Sequence, residues 1–282
     1  ARVRGWIYRI RKLKDKVFIV LRDSTEILQC VIELNKFQQP EEIEKLGIES
    51  SIEIEGKIKE DKRAPNGIEL KVEKIKIIGF SKEFPIGKYQ STELLLDYRH
   101  LWLRSRKLTE IMKIKHNLLK AAREFFYERG FYEVTPPIIT GSACEGGATQ
   151  FEIKYFDEKA YLSQSAQLYL EALIYSLEKV FSITPSFRAE PHRTSRHLAE
   201  YWHIEPEVAW MQFDELLKLE EEFISYICNY IAENNEKQLK FLGRDVEDLY
   251  MIKPPFPKMT YDEAVKKLNS LGIKIPWGKD LR

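Results

Sequence analysis

The chain of 282 residues has no run of about 18 apolar residues, so no stretch of it reads as a membrane-spanning helix. Its start, ARVRGWIYRI, alternates charged with apolar residues where a secretory leader needs a continuous apolar stretch. Together these absences predict a cytoplasmic protein. Cysteine is scarce: Cys30, Cys144 and Cys228 stand singly and far apart, which excludes a CxxC metal site and offers no disulfide framework. Three reduced, buried thiols are the expectation. No cluster of His, Cys, Asp and Glu has metal-ligand spacing, and no His-Cys-Ser constellation suggests a side-chain nucleophile, so no metal ligand is expected in this sequence.

Net charge is also nearly absent, at +1, but its distribution is uneven. Residues 1–22 hold Arg2, Arg4, Arg9, Arg11, Lys12, Lys14, Lys16 and Arg22 against Asp15 alone, a local charge of +7. The same stretch alternates like a strand and carries Trp6, Tyr8 and Phe18 among the cations. It reads either as an ordinary solvated face or as a basic, aromatic β surface suited to single-stranded nucleic acid. With 44% hydrophobic and 32% charged residues the chain has material for true cores and a soluble surface, and its length favours two domains.

The segment up to about Phe80 reads as five short strands: VRGWIYRI, KVFIVLRD, ILQCVIEL, SIEIEGKIKE and GIELKVEKIKII. They are rich in Ile and Val, alternate with period 2, and are separated by polar turns and one short helical interruption near 40–46. Five strands so spaced suit an OB-fold barrel. A linker containing Pro85 and Gly87 follows, and from about Leu108 the period becomes helical. Leu108, Ile111, Met112, Leu118, Leu119, Ala122, Phe125 and Phe126 then share one face, with a stop at Gly130. Further helices are expected over 167–179 and 214–233. Strands are expected at YLSQS, VFSITPSFRAE and HIEPEVAW, and Thr260 with Glu263 marks a capping box. Strands and helices mix without βαβ regularity, which favours α+β over a doubly wound sheet. The division predicted is 1–82 barrel, 83–105 linker and 106–282 second domain.

The richest chemistry lies in SFRAEPHRTSRHLAEYWHIEPEVAW, where two strands flank a loop carrying Arg188, Glu190, Arg193, Arg196 and His197. Guanidinium forks held between rigid strands suit polyphosphate oxygens; a surface salt-bridge network is the plainer alternative. PSFRAE followed by RTSRHLAEYWHIEPE resembles motif 2 of the class II aminoacyl-tRNA synthetases, in the form used by the aspartyl and asparaginyl subgroup. Gly130, Phe131, Val134 and Pro137 in GFYEVTPPIIT resemble motif 1, through which these enzymes dimerise. TGSACEGGATQFEI and YLSQSAQLYLEAL resemble the two amino-acid-binding segments, so the likeness runs over essentially the whole chain.

The resemblance implies specific roles. Arg188 is implied to hold the ATP α-phosphate and the substrate carboxylate, Glu190 to contact the base region, His197 to reach the terminal phosphates, with Arg196 beside it. Tyr201 is implied to lie against adenine, although core packing beside Trp202 is the plain alternative. Glu145 is the implied partner of the substrate ammonium and Gln167 a second substrate contact. At the third residue after that glutamine the aspartyl enzymes carry a lysine; here it is Leu170, which points to a neutral amide side chain, asparagine, in place of aspartate. In the barrel, Phe18 and Gln29 resemble residues that stack on and hydrogen-bond the central anticodon uridine, with Arg22 a further anticodon-binding candidate. The outward, exposed orientation of Phe18 is the expectation, and pointing into the barrel is the alternative that strand alternation leaves open.

The implied activity is ATP-dependent attachment of asparagine to its tRNA through an asparaginyl-adenylate, with ATP and Mg²⁺ required and a homodimer formed through motif 1. Adenylate formation needs positioning and charge stabilisation more than a side-chain nucleophile. The alternatives are an aspartyl-tRNA synthetase, discriminating or non-discriminating, and a catalytically inactive RNA-binding paralogue. The family's glycine-rich motif 3 and the acidic Mg²⁺ ligands upstream of it have no counterpart here, so a C-terminally truncated, incomplete catalytic domain is expected, with the metal ligands outside it.

Overall fold

The computed structural model describes residues 1–87, 89–144, 150–191 and 197–281. The chain divides into two compact units, Ala1–Leu103 and Arg104–Arg282.

In the first unit the alternating segments form strands β1 (Arg2–Lys12), β2 (Lys16–Arg22) and β3 (Ile27–Glu33), then helix α1 (Pro40–Glu44), β4 (Ser51–Glu60) and β5 (Ile68–Gly79). The five strands close into a barrel of order β1-β2-β3-β5-β4, as the OB-fold reading requires. Alternation decides which residues enter it. Val17, Ile19 and Leu21 of β2 point inward with Ile7, Cys30, Ile32, Ile52, Ile54 and Leu70, while Phe18, Val20 and Arg22 face outward. A bulge between Ile7 and Arg9 changes the phase of β1, so Arg2, Arg4 and Trp6 before it and Arg9 and Arg11 after it all lie on the outer face. Gly5 and Gly56 sit at the tightest approaches: a Cβ at these positions would lie 2.3 Å from the Arg22 carbonyl oxygen and 2.0 Å from that of Lys71. Only glycine closes the barrel there. Two short helices end this unit, α2 (Thr92–Asp97), capped by Ser91, and α3 (Arg99–Trp102).

The second unit opens with α4 (Arg106–Glu128), whose N-terminus is capped by Ser105 and which ends before Gly130, at φ 76°. The chain continues through the short strands β6 (Tyr132–Glu133) and β7 (Ile139–Thr140), then β8 (Glu152–Tyr155), β9 (Glu158–Leu162), α5 (Gln167–Leu177), β10 (Lys179–Phe187) and β11 (Glu200–Val208). Last come α6 (Phe213–Asn234), α7 (Glu236–Phe241), α8 (Glu247–Tyr250) and α9 (Tyr261–Ser270), the last opened by the expected Thr260–Glu263 capping box. Strand β10 pairs antiparallel with β11 along its whole length and parallel with β6 at its start; β7, β9 and β8 form a second sheet.

One face of the first sheet is buried under α4 and α6. Phe125, Phe126, Phe131, Phe181, Ile183 and Leu219 make that core, and the rings of Phe126 and Phe181 stack at 4.7 Å between centroids. Burying one such side chain stabilises the fold by about 1.5–3 kcal/mol. The apolar face of α4 is shorter than its periodicity predicts. Met112 is 42% exposed, because the fully buried residues of the helix concentrate at Ala121, Ala122, Phe125 and Phe126, in its C-terminal half. No helix among the described residues is long and apolar enough to cross a membrane.

Candidate functional site

The pairing of β10 with β11 builds one face of a site by alternation alone. Phe181 and Ile183, with Ile204 and Val208, belong to the core face. The opposite face therefore carries Val180, Ser182, Thr184 and Ser186 directly across from Glu207, Glu205, His203 and Tyr201. Arg188 continues that row just past β10, and its backbone N–H donates to the Ala199 carbonyl at 3.0 Å, which extends the hairpin toward the loop. Its exposed guanidinium lies over the Tyr201 ring, 5.7 Å from the centroid, and Tyr201 in turn lies 5.4 Å from the His203 ring. Glu190 is half-buried and His197 exposed on the arms of this loop. Arg193 and Arg196 lie outside the described residues, as does Glu145.

Helix α5 supplies the neighbouring wall. Its N-cap, Ala166, has no side chain able to cap, and β11 does that work instead. Glu205 accepts from the Ala166 N–H at 3.0 Å and from the Ser165 hydroxyl, and the same hydroxyl oxygen accepts from the Gln167 N–H at 3.1 Å. A carboxylate at a helix N-terminus satisfies otherwise unpaired N–H groups and opposes the helix dipole. The His203 Nδ1 lies 3.3 Å from Glu205 and 3.2 Å from the Ser186 hydroxyl, so the clamp spans both strands and the helix. Gln167 is fixed at both ends of its amide: Nε2 donates to Glu171 at 2.8 Å, and Oε1 accepts from the Cys144 thiol at 3.3 Å.

Leu170 is fully buried beneath this wall, packed with Ala166 and Val180. Three carboxylates, Glu171, Glu205 and Glu207, lie close enough on this wall to act on one another. Burial raises the Glu207 carboxyl above the usual carboxylate range, and the neighbouring Glu171 and Glu205 raise it further. Among the described residues no group of three or more His, Cys, Asp or Glu side chains could hold a metal ion. Sequence reading passed over Glu205 and Glu207, although the alternation of HIEPEVAW puts both on the face of Tyr201 and His203.

The cysteines depart from expectation. All are free, but only Cys30 is buried; Cys144, beside Gln167, and Cys228, on the amphipathic α6, are half-buried. Burial pushes the Cys30 thiol up to about 12. Pro137 is exposed, in the segment between β6 and β7.

On the barrel, Phe18 takes the outward of its two possible orientations and is half-buried among its neighbours. It stands in a cross-strand row with Arg11, Val31 and Lys71. The adjacent row is Arg9, Val20, Gln29 and Glu69, in which the Gln29 amide nitrogen donates to the Glu69 carboxylate at 3.1 Å. Arg22 is held in a largely buried ion pair with Glu49 at 3.0 Å, the two side chains 12% and 7% exposed, and its guanidinium carbon lies 5.8 Å from the Tyr8 ring centroid. Arg2 and Arg4 both pair with Glu53. Part of the +7 of residues 1–22 is thus neutralised within the barrel, and Arg9 and Arg11 stand among the cations of the face of Phe18, with Lys71.

A family model described as tRNA synthetases class II (D, K and N) matches residues 91–280, and one described as OB-fold nucleic acid binding domain matches residues 1–78. The chain belongs to the class II tRNA synthetases. Among curated relatives of this synthetase, an asparagine–tRNA ligase of Thermoplasma acidophilum is 49% identical over 281 residues, 99% of the chain and 66% of the relative. One from Thermococcus kodakarensis is 52% identical over 284 residues, 100% of the chain and 66% of the relative. Among solved structures, the asparaginyl-tRNA synthetase of Pyrococcus horikoshii complexed with asparaginyl-adenylate superposes with a TM-score of 0.94 at 49% identity, covering 100% of this chain and 66% of that one. The synthetase chain therefore spans about two thirds of the length of the relatives it matches.

Proposed function

We propose that this chain is the anticodon-reading barrel and part of the aminoacylation domain of an asparaginyl-tRNA synthetase, an enzyme that joins asparagine to its tRNA through an asparaginyl-adenylate made from ATP. The observation that carries the reading is the near-50% identity to asparagine–tRNA ligases across the whole chain, together with the fold shared with a synthetase holding asparaginyl-adenylate.

The side chains support it in detail. Arg188, Glu190, Arg196, His197 and Tyr201 make the ATP subsite: the guanidinium stabilises charge on the α-phosphate while the substrate carboxylate attacks in line, and the Tyr201 ring takes the adenine. Glu145, Gln167 and Arg188 hold the amino acid. Buried Leu170 leaves the site without a cation there, and Glu171, Glu205 and Glu207 give this wall a negative field. That field repels a second side-chain carboxylate and tolerates an amide, so it favours asparagine over aspartate. Phe18, Gln29 and Arg22 serve the anticodon, Phe18 by stacking, Gln29 by hydrogen bonding and Arg22 by fixing the barrel surface through Glu49. The domain division, 1–82, linker 83–105 and 106–282, follows these roles.

Magnesium accompanies ATP in this reading. The described residues contain no cluster suited to it, so the steps assigned to this chain are those of its arginines, glutamine and aromatic rings. A homodimer through the segment that includes Pro137, working in the cytoplasm, completes the proposal. Aminoacylation assays on a protein of the relatives' full length test it. Asparagine should be charged onto tRNA; charging by aspartate alone would replace this reading with the aspartyl one.

A further inference from the structure

We infer that Glu171 is a positioning residue for the amino-acid substrate: it holds the side-chain amide of Gln167 in one orientation, which leaves the amide oxygen as the acceptor for the substrate ammonium. This role deepens the proposed amino-acid subsite and rests on it.

Gln167 and Glu171 stand about one turn apart on α5, where side chains at i and i+4 meet, and the Gln167 Nε2 donates to the Glu171 carboxylate at 2.8 Å. An ionised carboxylate only accepts, so this contact demands the nitrogen end of the amide. The Cys144 thiol, 3.3 Å from Oε1, is a donor and demands the oxygen end. Partners from two separate segments thus require the same orientation, and chemistry fixes which end is which. The thiol donates weakly, so the carboxylate is the stronger constraint. Turning the amide over would set its oxygen against Glu171, on a wall where Glu205 and Glu207 already add negative charge.

Glu171 is exposed and Gln167 half-buried, so in the open site water competes for their contact, and such a pair adds little to the stability of the helix. A bound amino acid displaces that water, and the hydrogen bond strengthens as the local dielectric falls. Glu171 therefore bears on binding more than on folding. The consequence for the substrate is one of sign. An amide oxygen has two lone pairs, of which the Cys144 thiol uses one. The other suits the ammonium, a donor, and repels the substrate carboxylate, which is left to Arg188 and the phosphorus it must attack. A flipped amide would present N–H groups instead and draw the carboxylate toward Gln167.

The test uses a protein of the relatives' full length, with ATP–pyrophosphate exchange giving KM for asparagine and for ATP separately. Gln167→Ala should raise KM for asparagine by about 10-fold or more, through loss of a hydrogen bond to a charged group. Glu171→Gln, which keeps the shape and removes the obligatory acceptor, should raise it by about 5-fold or more and leave KM for ATP within about 2-fold. Cys144→Ala should change either value by less than about 2-fold, since the carboxylate holds the amide alone. In a Gln167→Ala background Glu171→Gln should have no further effect, a coupling that a charge acting directly on the ammonium does not give. Thermal unfolding confirms that each variant is folded. No exchange with asparagine in the wild type sinks the proposed function, and this role with it. Asparagine exchange that Gln167→Ala leaves untouched removes Gln167 from the subsite and overturns the role of Glu171 as well. Exchange that responds to Gln167→Ala but not to folded Glu171→Gln, or an effect of Glu171→Gln that persists without Gln167, overturns the positioning role alone.

Discussion

Arg188 holds its guanidinium carbon 5.7 Å from the centroid of the Tyr201 ring, so the residue that ends one strand's row is tied to the strand facing it. The fork and the ring are predicted to act on different parts of one nucleotide. In the full-length protein Arg188→Lys should lower asparagine-dependent kcat/KM about 100-fold or more, since a point charge replaces a planar pair of donors. Tyr201→Ala should mainly raise the KM for ATP, by about 10-fold, and Tyr201→Phe should change little. Steady-state pyrophosphate exchange checks both.

Leu170 bears on stability as well as specificity. It is 0% exposed among Ala166 and Val180, so Leu170→Ala should cost about 2–5 kcal/mol and Leu170→Met less than about 1.5 kcal/mol. Leu170→Lys should cost about 3–5 kcal/mol, because the ammonium lands in an apolar cluster. Urea denaturation of the 282-residue chain gives these values; an unchanged midpoint for the lysine variant would contradict the burial of this position.

Glu207 predicts a pH dependence. Its carboxyl is raised by burial first and by Glu171 and Glu205 second, so the folded state binds this proton more tightly than the unfolded chain. The stabilising contribution is complete below the ordinary glutamate value of about 4.3 and is lost as pH rises through the raised folded value. Glu207→Gln should flatten that part of the stability curve and leave the protein more stable than wild type at neutral pH. Melting temperatures from acid to neutral pH decide it.

The thiols should react unequally. With Cys30 pushed up to about 12 and buried in the barrel, alkylation at pH about 8 should spare it until the protein unfolds, while half-buried Cys144 is modified in the native state. The same shift predicts that Cys30 withdraws stability as pH rises from 9.0 toward about 12, since the unfolded chain ionises first. Mass spectrometry of native and denatured samples reads the labelling order.

Much of this was legible in the sequence where the signal is local. Val17, Ile19 and Leu21 against Phe18, Val20 and Arg22 is a period-2 pattern, and the barrel obeys it. Motif order gave the loop that begins at Arg188. What the sequence concealed depends on register between distant segments. Nothing in SQS or HIEPE reveals that Glu205 caps a helix forty residues earlier, at Ser165 and Ala166, nor that Gln29 meets Glu69. The bulge between Ile7 and Arg9 likewise changes the phase of β1 without a sequence marker, and it is this bulge that brings Arg9 and Arg11 to the face of Phe18. The expectation of free thiols holds for all three cysteines, but that of burial fails for two, because scarcity says nothing about position: Cys228 lies on an amphipathic helix and Cys144 beside Gln167.

The most direct test of the account is ATP–pyrophosphate exchange by a protein of the relatives' full length, with asparagine and aspartate compared at equal concentration. Exchange driven by asparagine, with aspartate far weaker and Arg188→Lys depressing it, is the predicted result. Exchange driven by aspartate would contradict it, and exchange with neither would leave the catalytic reading without support.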